Sequence, residues 1–380
     1  MKKSHLKILS QKFLVVAAAL LLSQISFAQS DGPLREVYKN NFYIGAALNE
    51  ENILQKNDAS NILLESEFNS ITAENVFKWE KIHPSEGEYN FELPDKFVAL
   101  GEKLNMQMIG HTLIWHQQTP EWVFKNSDGN YKSREELLTL MEEHITTVVG
   151  RYKGKINGWD VVNEALNEDG TLKQSEWVKI IGEDYLQKAF EFACQADPNT
   201  ELYYNDFSLE NEPKRNGAIE LIKMLRSKGI KIDAVGLQGH YKMDWPTTSQ
   251  LDSTIKAFAK LGLKVMITEL DIDVLPYNNI PVGADISMNV KLREEFNPYP
   301  DRLPEENQNM LAERYADLFK VFLVNDESVS RITFWGISDD ESWLHDWPIK
   351  GRTNYPLLFD HSGKPKPAYY AVKKIPKESK

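Results

Sequence analysis

Eight short apolar runs alternate with longer amphipathic segments along this chain, and few folds accommodate that rhythm. The runs are Phe42–Leu48, Phe68–Ala73, Met106–Ile114, Gly158–Val162, Leu202–Asn205, Ala234–Leu237, Lys264–Thr268 and Ile332–Gly336. Their length and β-branched content read as buried strands. Between them, Ser133–Tyr152, Tyr185–Ala196, Pro213–Lys228 and Leu251–Leu261 carry apolar residues at helical spacing. Strands that alternate with helices pair in parallel and need helices over their faces. Eight such units without a Gly/Ser- or Pro-rich linker predict an α/β fold, one (β/α)8 TIM barrel in a single domain, over a doubly wound sheet or two domains. The length of 380 residues permits this, because such barrels reach ~250 residues or more as one unit. One long irregular insertion, Leu275–Pro304, is of a length that is usually functional or mobile. Lys373–Lys380 reads as a solvated basic end.

The first residues belong to processing and not to the fold. Lys2 to Lys12 form a positive region, Phe13 to Leu22 an apolar run, and Ser26-Phe27-Ala28 a small-x-small cleavage site. The run is short of the ~20 residues of a membrane span. Residues 1–28 are therefore expected to be a signal peptide, and the product a secreted or periplasmic protein with no membrane association after cleavage. That leaves residues 29–380 as the barrel domain, with its core at about 42–372. The formal charge is −12; without residues 1–28, which hold four lysines and no acid, 40 cations stand against 56 anions, or −16. An acidic surface disfavours nucleic acid and anionic membranes as partners and leaves a neutral polymer open. The single cysteine, Cys194, sits in a helical stretch and reads as a buried structural thiol.

In a TIM barrel the reacting groups collect where strands give way to the following loops. Two apolar runs end in acids there: W-D-V-V-N-E-A in Glu164 and L-K-V-M-I-T-E-L-D in Glu269. Apolar surroundings disfavour a carboxylate, so an acid at the end of a buried strand is a candidate for chemistry. Two such acids are the minimum equipment for breaking a glycosidic bond. The other strand ends are polar or aromatic: Glu74, Asn75 and Lys78; His111, Trp115 and His116; Asn163; Tyr204, Asn205 and Asp206; Gln238 and His240; Asp271; Trp335, with Trp343 soon after. Trp79, Trp115, Trp335 and Trp343 at or near strand ends suit a polysaccharide cleft, since an indole offers an apolar face and a polar edge to a sugar ring.

At W-D-V-V-N-E-A, G-H-T-L-I-W-H, L-Q-G-H and I-T-E-L-D the sequence resembles the endo-β-1,4-xylanases of glycoside hydrolase family 10, from about Phe42 to Val372. The resemblance implies retaining hydrolysis of internal β-1,4 bonds in xylan through a covalent glycosyl-enzyme, without metal or organic cofactor. It implies Glu164 as acid/base and Glu269 as nucleophile. It places Glu74, Asn75, Lys78, His111, Trp115, Asn163, Gln238, Trp335 and Trp343 on the sugars. The expected partners are xylan and xylo-oligosaccharides, bound by a monomer. His240 and Asp271 are positioned to orient Glu269, and Glu164 is expected against an apolar flank.

The remaining residues have plainer readings. Asp160, inside its strand, reads as a buried support. His111 and His116 lack the spacing of a metal helix, so sugar contact for His111 and structural support for His116 are expected. Tyr204 and Asn205 either frame the cleft or touch sugar. Trp122, Trp159, Trp177 and Trp245 read as packing, and His345 is close enough to Trp343 to line the cleft. Two rival functions stand beside the xylanase: a related glycosidase for β-1,4-glucan or aryl glycosides, and a sugar-binding barrel that has lost catalysis. The second is disfavoured because both acids are present.

Overall fold

The computed structural model describes residues 32–276 and 287–378. The expected signal peptide and positions 277–286 of the insertion lie outside these residues. Nine strands follow in order: β1 (Tyr43–Leu48), β2 (Ser70–Ala73), β3 (Gln107–Ile114), β4 (Gly158–Asn163), β5 (Glu201–Asp206), β6 (Ala234–Leu237), β7 (His240–Lys242), β8 (Lys264–Asp273) and β9 (Val329–Phe334). All pairings are parallel, and β6 pairs with β8 while β9 returns to β1. Eight strands thus close on themselves with helices between them, which is the expected (β/α)8 barrel. Six of the eight apolar runs match their strands to within two residues.

The extra strand, β7, is the departure. At Gln238 the sixth strand breaks; Gly239 turns at φ +85°, and β7 resumes the pairing with β8. Its register sets His240 opposite Asp271. That extra ladder also carries β8 on to Asp273, so Glu269 lies within a strand and not at its end as expected. Caps define the helix starts: Ser133 and Glu136 form a capping box at Arg134–Arg151, and Thr247 and Gln250 form another at Thr248–Ala259. The second moves that helix three residues ahead of the expected Leu251.

Apolar residues fill two regions. A large core lies between strands and helices, and a small cluster of Ile109, Tyr203, Ala234 and Met266 fills the barrel. The C-terminal segment is a correction: Lys373–Glu378 belong to the helix Pro367–Glu378, whose Val372 and Ile375 are buried. The Tyr38 hydroxyl donates to the Val372 carbonyl at 2.7 Å and ties that helix to the first one. Cys194 is half-buried, more open than expected.

Trp79 is a second correction. It is 2% exposed and stacks on His144 with ring centres 3.7 Å apart, so it belongs to the core and not to a cleft. His144 in turn meets His83, Nδ1 to Nδ1 at 3.2 Å. One of the two imidazoles must donate and the other accept, so the accepting ring is neutral. Burial holds the His83 pKa down at about 4, and burial together with His83 holds His144 well below its usual value. A folded-state pKa below the unfolded 6.5 contributes stability above that pH, and the contribution is lost as pH falls toward about 4. His144→Leu is therefore expected to cost roughly 1–3 kcal/mol at pH 7. In thermal unfolding its deficit in Tm relative to the wild type should shrink steadily between pH 6.5 and 4.

Candidate active site

Glu164 and Glu269 come together at the end of the barrel where β4, β5 and β6 finish and β8 runs on past them. Glu164 follows β4 in the left-handed region at φ +57°, a conformation that costs a non-glycine residue on the order of 1–3 kcal/mol. Its N–H donates to the Asn205 carbonyl at 2.9 Å, so the end of β5 holds the corner in place. The Gln238 amide donates to Glu164 Oε1 at 2.9 Å and the Trp115 indole to Oε2 at 3.0 Å. Asn205 Nδ2 donates both to Glu269 Oε1 at 2.8 Å and to Asn163 Oδ1 at 3.0 Å. Gln238 Nε2 also reaches Asn163 Oδ1, at 3.3 Å. One chain of amides therefore runs from one carboxyl to the other. Gly236 makes room for it: a Cβ there would stand 2.2 Å from Asn205 Oδ1.

The two acids are buried alike, at 6% and 5% exposure, but their surroundings push them apart. Burial raises the Glu164 pKa, nearby Asp206 raises it further, and the hydrogen bonds from Gln238 and Trp115 offset only part of that. For Glu269, burial acts in the same direction, yet His240, His111 and Asn205 together outweigh it and leave the pKa lowered. His240 Nε2 lies 3.2 Å from Glu269 Oε2 and its Nδ1 lies 3.0 Å from Asp271 Oδ1. Both ring nitrogens face carboxylates, so both carry protons. Burial opposes that charge, but Asp271 and Glu269 prevail and raise the His240 pKa to about 10. Asp271 Oδ2 accepts from the Trp343 indole at 2.8 Å.

The other expected residues fall around this pair. Glu74, Asn75 and Lys78 form a row, with Asn75 Nδ2 donating to Glu74 at 3.1 Å and Lys78 Nζ donating to Asn75 Oδ1 at 3.0 Å. Lys78 Nζ stands 5.0 Å over the Trp115 ring. His111 Nδ1 donates to Asp160 at 2.9 Å, the buried support expected of that aspartate, and its ring meets Trp335 edge to face. Trp335 and Trp343 both flank His240. Tyr204 and Asn205 are wholly buried and frame the site. The Tyr204 hydroxyl donates to Asp206 at 2.5 Å. His116 Nε2 meets Lys173 Nζ at 3.2 Å.

Several expectations need correcting. The flank of Glu164 is not purely apolar, since three donors reach its carboxyl, from Gln238, Trp115 and Asn163. His345 does not line a cleft: its Nδ1 accepts from the Asn354 N–H at 3.0 Å and its Nε2–H donates to the Asp339 carbonyl at 2.6 Å, fixing the loop after β9. Trp347, which the strand-end rule passes over, stacks on Trp343 at 4.7 Å. Thr268 also went unnoticed; its hydroxyl donates to Asn205 Oδ1 at 2.7 Å and fixes which way that amide faces.

A family model, glycosyl hydrolase family 10, matches residues 33–375. The chain belongs to that family. Endo-1,4-beta-xylanase A of Xylanibacter ruminicola is 42% identical over 94% of this chain and 96% of its own length. Beta-1,4-xylanase of Dictyoglomus thermophilum is 39% identical over 97% and 100%. Among solved structures, a GH10 endoxylanase retrieved from a sugarcane soil metagenome superimposes with a TM-score of 0.86 at 42% identity, covering 91% of this chain and 99% of that one. The barrel of a family 10 hydrolase is thus the frame in which these carboxyls sit. The charge on His240 depends most on Asp271 among its neighbours, so Asp271→Asn should lower the imidazole pKa from about 10 by more than one unit. An NMR titration of His240 reads that directly.

Proposed function

We propose that the protein is a retaining endo-β-1,4-xylanase in which Glu269 is the nucleophile and Glu164 the acid/base. The observation that carries this reading is the opposite bias of two buried carboxyls joined by one chain of amides. Membership of family 10 supports the reaction, and relatives named as endo-1,4-beta-xylanases support the substrate.

In this reading Glu269, kept ionised by His240 and Asn205, attacks the anomeric carbon while Glu164 gives its proton to the departing glycosidic oxygen. The C–O bond breaks, an ester to Glu269 forms, and the negative charge of Glu269 is gone. Glu164, now a carboxylate, takes a proton from water. The hydroxide adds to the anomeric carbon, and Glu269 leaves with its charge restored. Two inversions give retention, which requires carboxyls ~5–5.5 Å apart. Asn163 is the partner for the sugar 2-hydroxyl, a contact that strengthens as positive charge develops on the ring. Glu74, Asn75, Lys78, His111 and Gln238 hold other hydroxyls, with Trp115 as a wall. Trp335 and Trp343 cover the xylose at the bond, and crowding there excludes the hydroxymethyl group of glucose. All these groups come from one chain, which supports action as a monomer, and the leader-like residues 1–28 support export to the periplasm or beyond.

Glu269→Ala should abolish release of reducing sugar from xylan, and wild-type activity in that variant would refute the nucleophile. Glu164→Ala should lose about 10²–10⁴-fold on xylan but far less on an aryl xyloside, whose leaving group hardly needs a proton. Equal losses on both substrates would remove the acid role. Wild-type activity should fall at low pH as Glu269 takes a proton and at high pH as Glu164 loses one. Trp335→Ala should gain activity on cellulose relative to xylan, measured as a ratio of kcat/KM values.

A further inference from the structure

Glu164 has charged neighbours that the mechanism above does not use. A cavity of about 10 Å³ adjoins it, bordered by Trp115, His116, Glu164, Lys173 and Tyr185, whereas Glu269, Asn205 and His240 do not border it. Such a space holds about one water molecule. Lys173 is anchored there by its backbone, whose N–H donates to the Ala165 carbonyl at 2.8 Å. Its Nζ lies 3.2 Å from His116 Nε2. An ammonium only donates, so His116 Nε2 accepts and the imidazole proton sits on Nδ1. His116 thus braces a cation at the cavity without adding a second charge.

The other charged groups around Glu164 come from three directions. Asp206, at the end of β5, is the strongest anionic influence on it. Lys214 partly neutralises Asp206 at 3.0 Å, and that lysine also reaches Glu168 at 3.4 Å. Lys78 approaches from the loop after β2. Burial pushes the Lys173 ammonium below its usual pKa, while Glu164 and Asp206 pull it back up. Burial and Asp206 therefore favour protonated Glu164, and Lys173 favours its carboxylate.

We propose that Lys173, braced by His116, is a positioning residue that sets the alkaline limit of the acid/base, holding the carboxylate that Glu164 becomes once its proton has gone to the leaving group. The inference rests on the acid/base assignment given above. An acid that must later act as base cannot hold its proton too tightly. A cation beside the cavity stabilises the carboxylate in the first transition state and keeps it available for water in the second step.

The test is the pH profile of kcat/KM on xylo-oligosaccharides, whose alkaline limb reports the pKa of the acid in the free enzyme. Lys173→Gln, which keeps a donor for His116 without its charge, and Lys173→Met should both raise that limb by about one unit, the low end of what a neighbouring opposite charge does. Lys173→Arg should leave it in place. A loss of activity with an unmoved limb in Lys173→Gln, or a limb that moves in Lys173→Arg as it does in Lys173→Gln, would overturn the proposal. In Glu164→Ala acting on an aryl xyloside the alkaline limb should vanish. If it persists there, the acid/base reading itself fails, whatever Lys173 does.

Discussion

Two carboxyl groups buried within reach of the same few amides are the constraint on which the site depends. A buried charge is costly unless it is paired and hydrogen-bonded, and a half-satisfied polar network is worse than none. Here the atoms of Glu164, Asn163, Asn205, Gln238 and Glu269 are all absent from the buried side-chain groups that lack a partner among the described residues. Each amide is also oriented without ambiguity. Asn205 Oδ1 accepts from Thr268, so its Nδ2 must face Asn163 and Glu269. That arrangement is possible only because the barrel closes. Strands β4, β5, β6 and β8 are neighbours solely through the β4–β5, β5–β6 and β6–β8 pairings.

Given equal burial, what separates the two acids is the sign of the charge behind each. Glu269 has His240, a cation held by Asp271, which in turn is held by the Trp343 indole. Glu164 has the anion Asp206. The line from Glu269 to Trp343 thus runs from a buried carboxyl to an indole beyond β9. A shift of that indole therefore acts on the geometry that keeps Glu269 charged. The break in the sixth strand makes this line possible, because only the displaced register of β7 sets His240 against Asp271.

Much of this was legible in the chain, and the reasons are local. Strand and helix faces follow from the spacing of apolar residues, so the barrel, both acids and the row of polar strand ends could be read directly. What could not be read depends on contacts across the fold. Nothing near Gln238 in sequence announces that β8 will continue beside a resumed strand. Trp79 follows a strand end exactly as a cleft residue would, and only the approach of His144 from the helix Arg134–Arg151 takes it into the core. Lys373 and Lys374 gave their segment a solvated look because charge is visible in composition, whereas the burial of Ile375 depends on where the helix Glu305–Val324 lies. Lys173 sits in mid-loop with no periodic signal, and its place beside Glu164 emerges only when β4 and its loop are folded.

The buried aromatic stack and Glu164 are mechanically one object. Trp79 lies against His144 and is tilted against Trp177, with ring centres 5.5 Å apart in the second contact. The Trp177 indole donates to the Trp115 carbonyl at 3.0 Å, and the Trp115 indole donates to Glu164 at the same distance. Glu164 stands in a strained left-handed conformation, and such a conformation persists only where its surroundings over-determine it. Trp115 supplies part of that restraint, and it inherits its own position from a stack whose burial keeps its histidines neutral. Acid pH therefore weakens the site by two separable routes. One discharges Glu269 directly, and the other loosens the packing that keeps the Glu164 side chain aimed across the cleft.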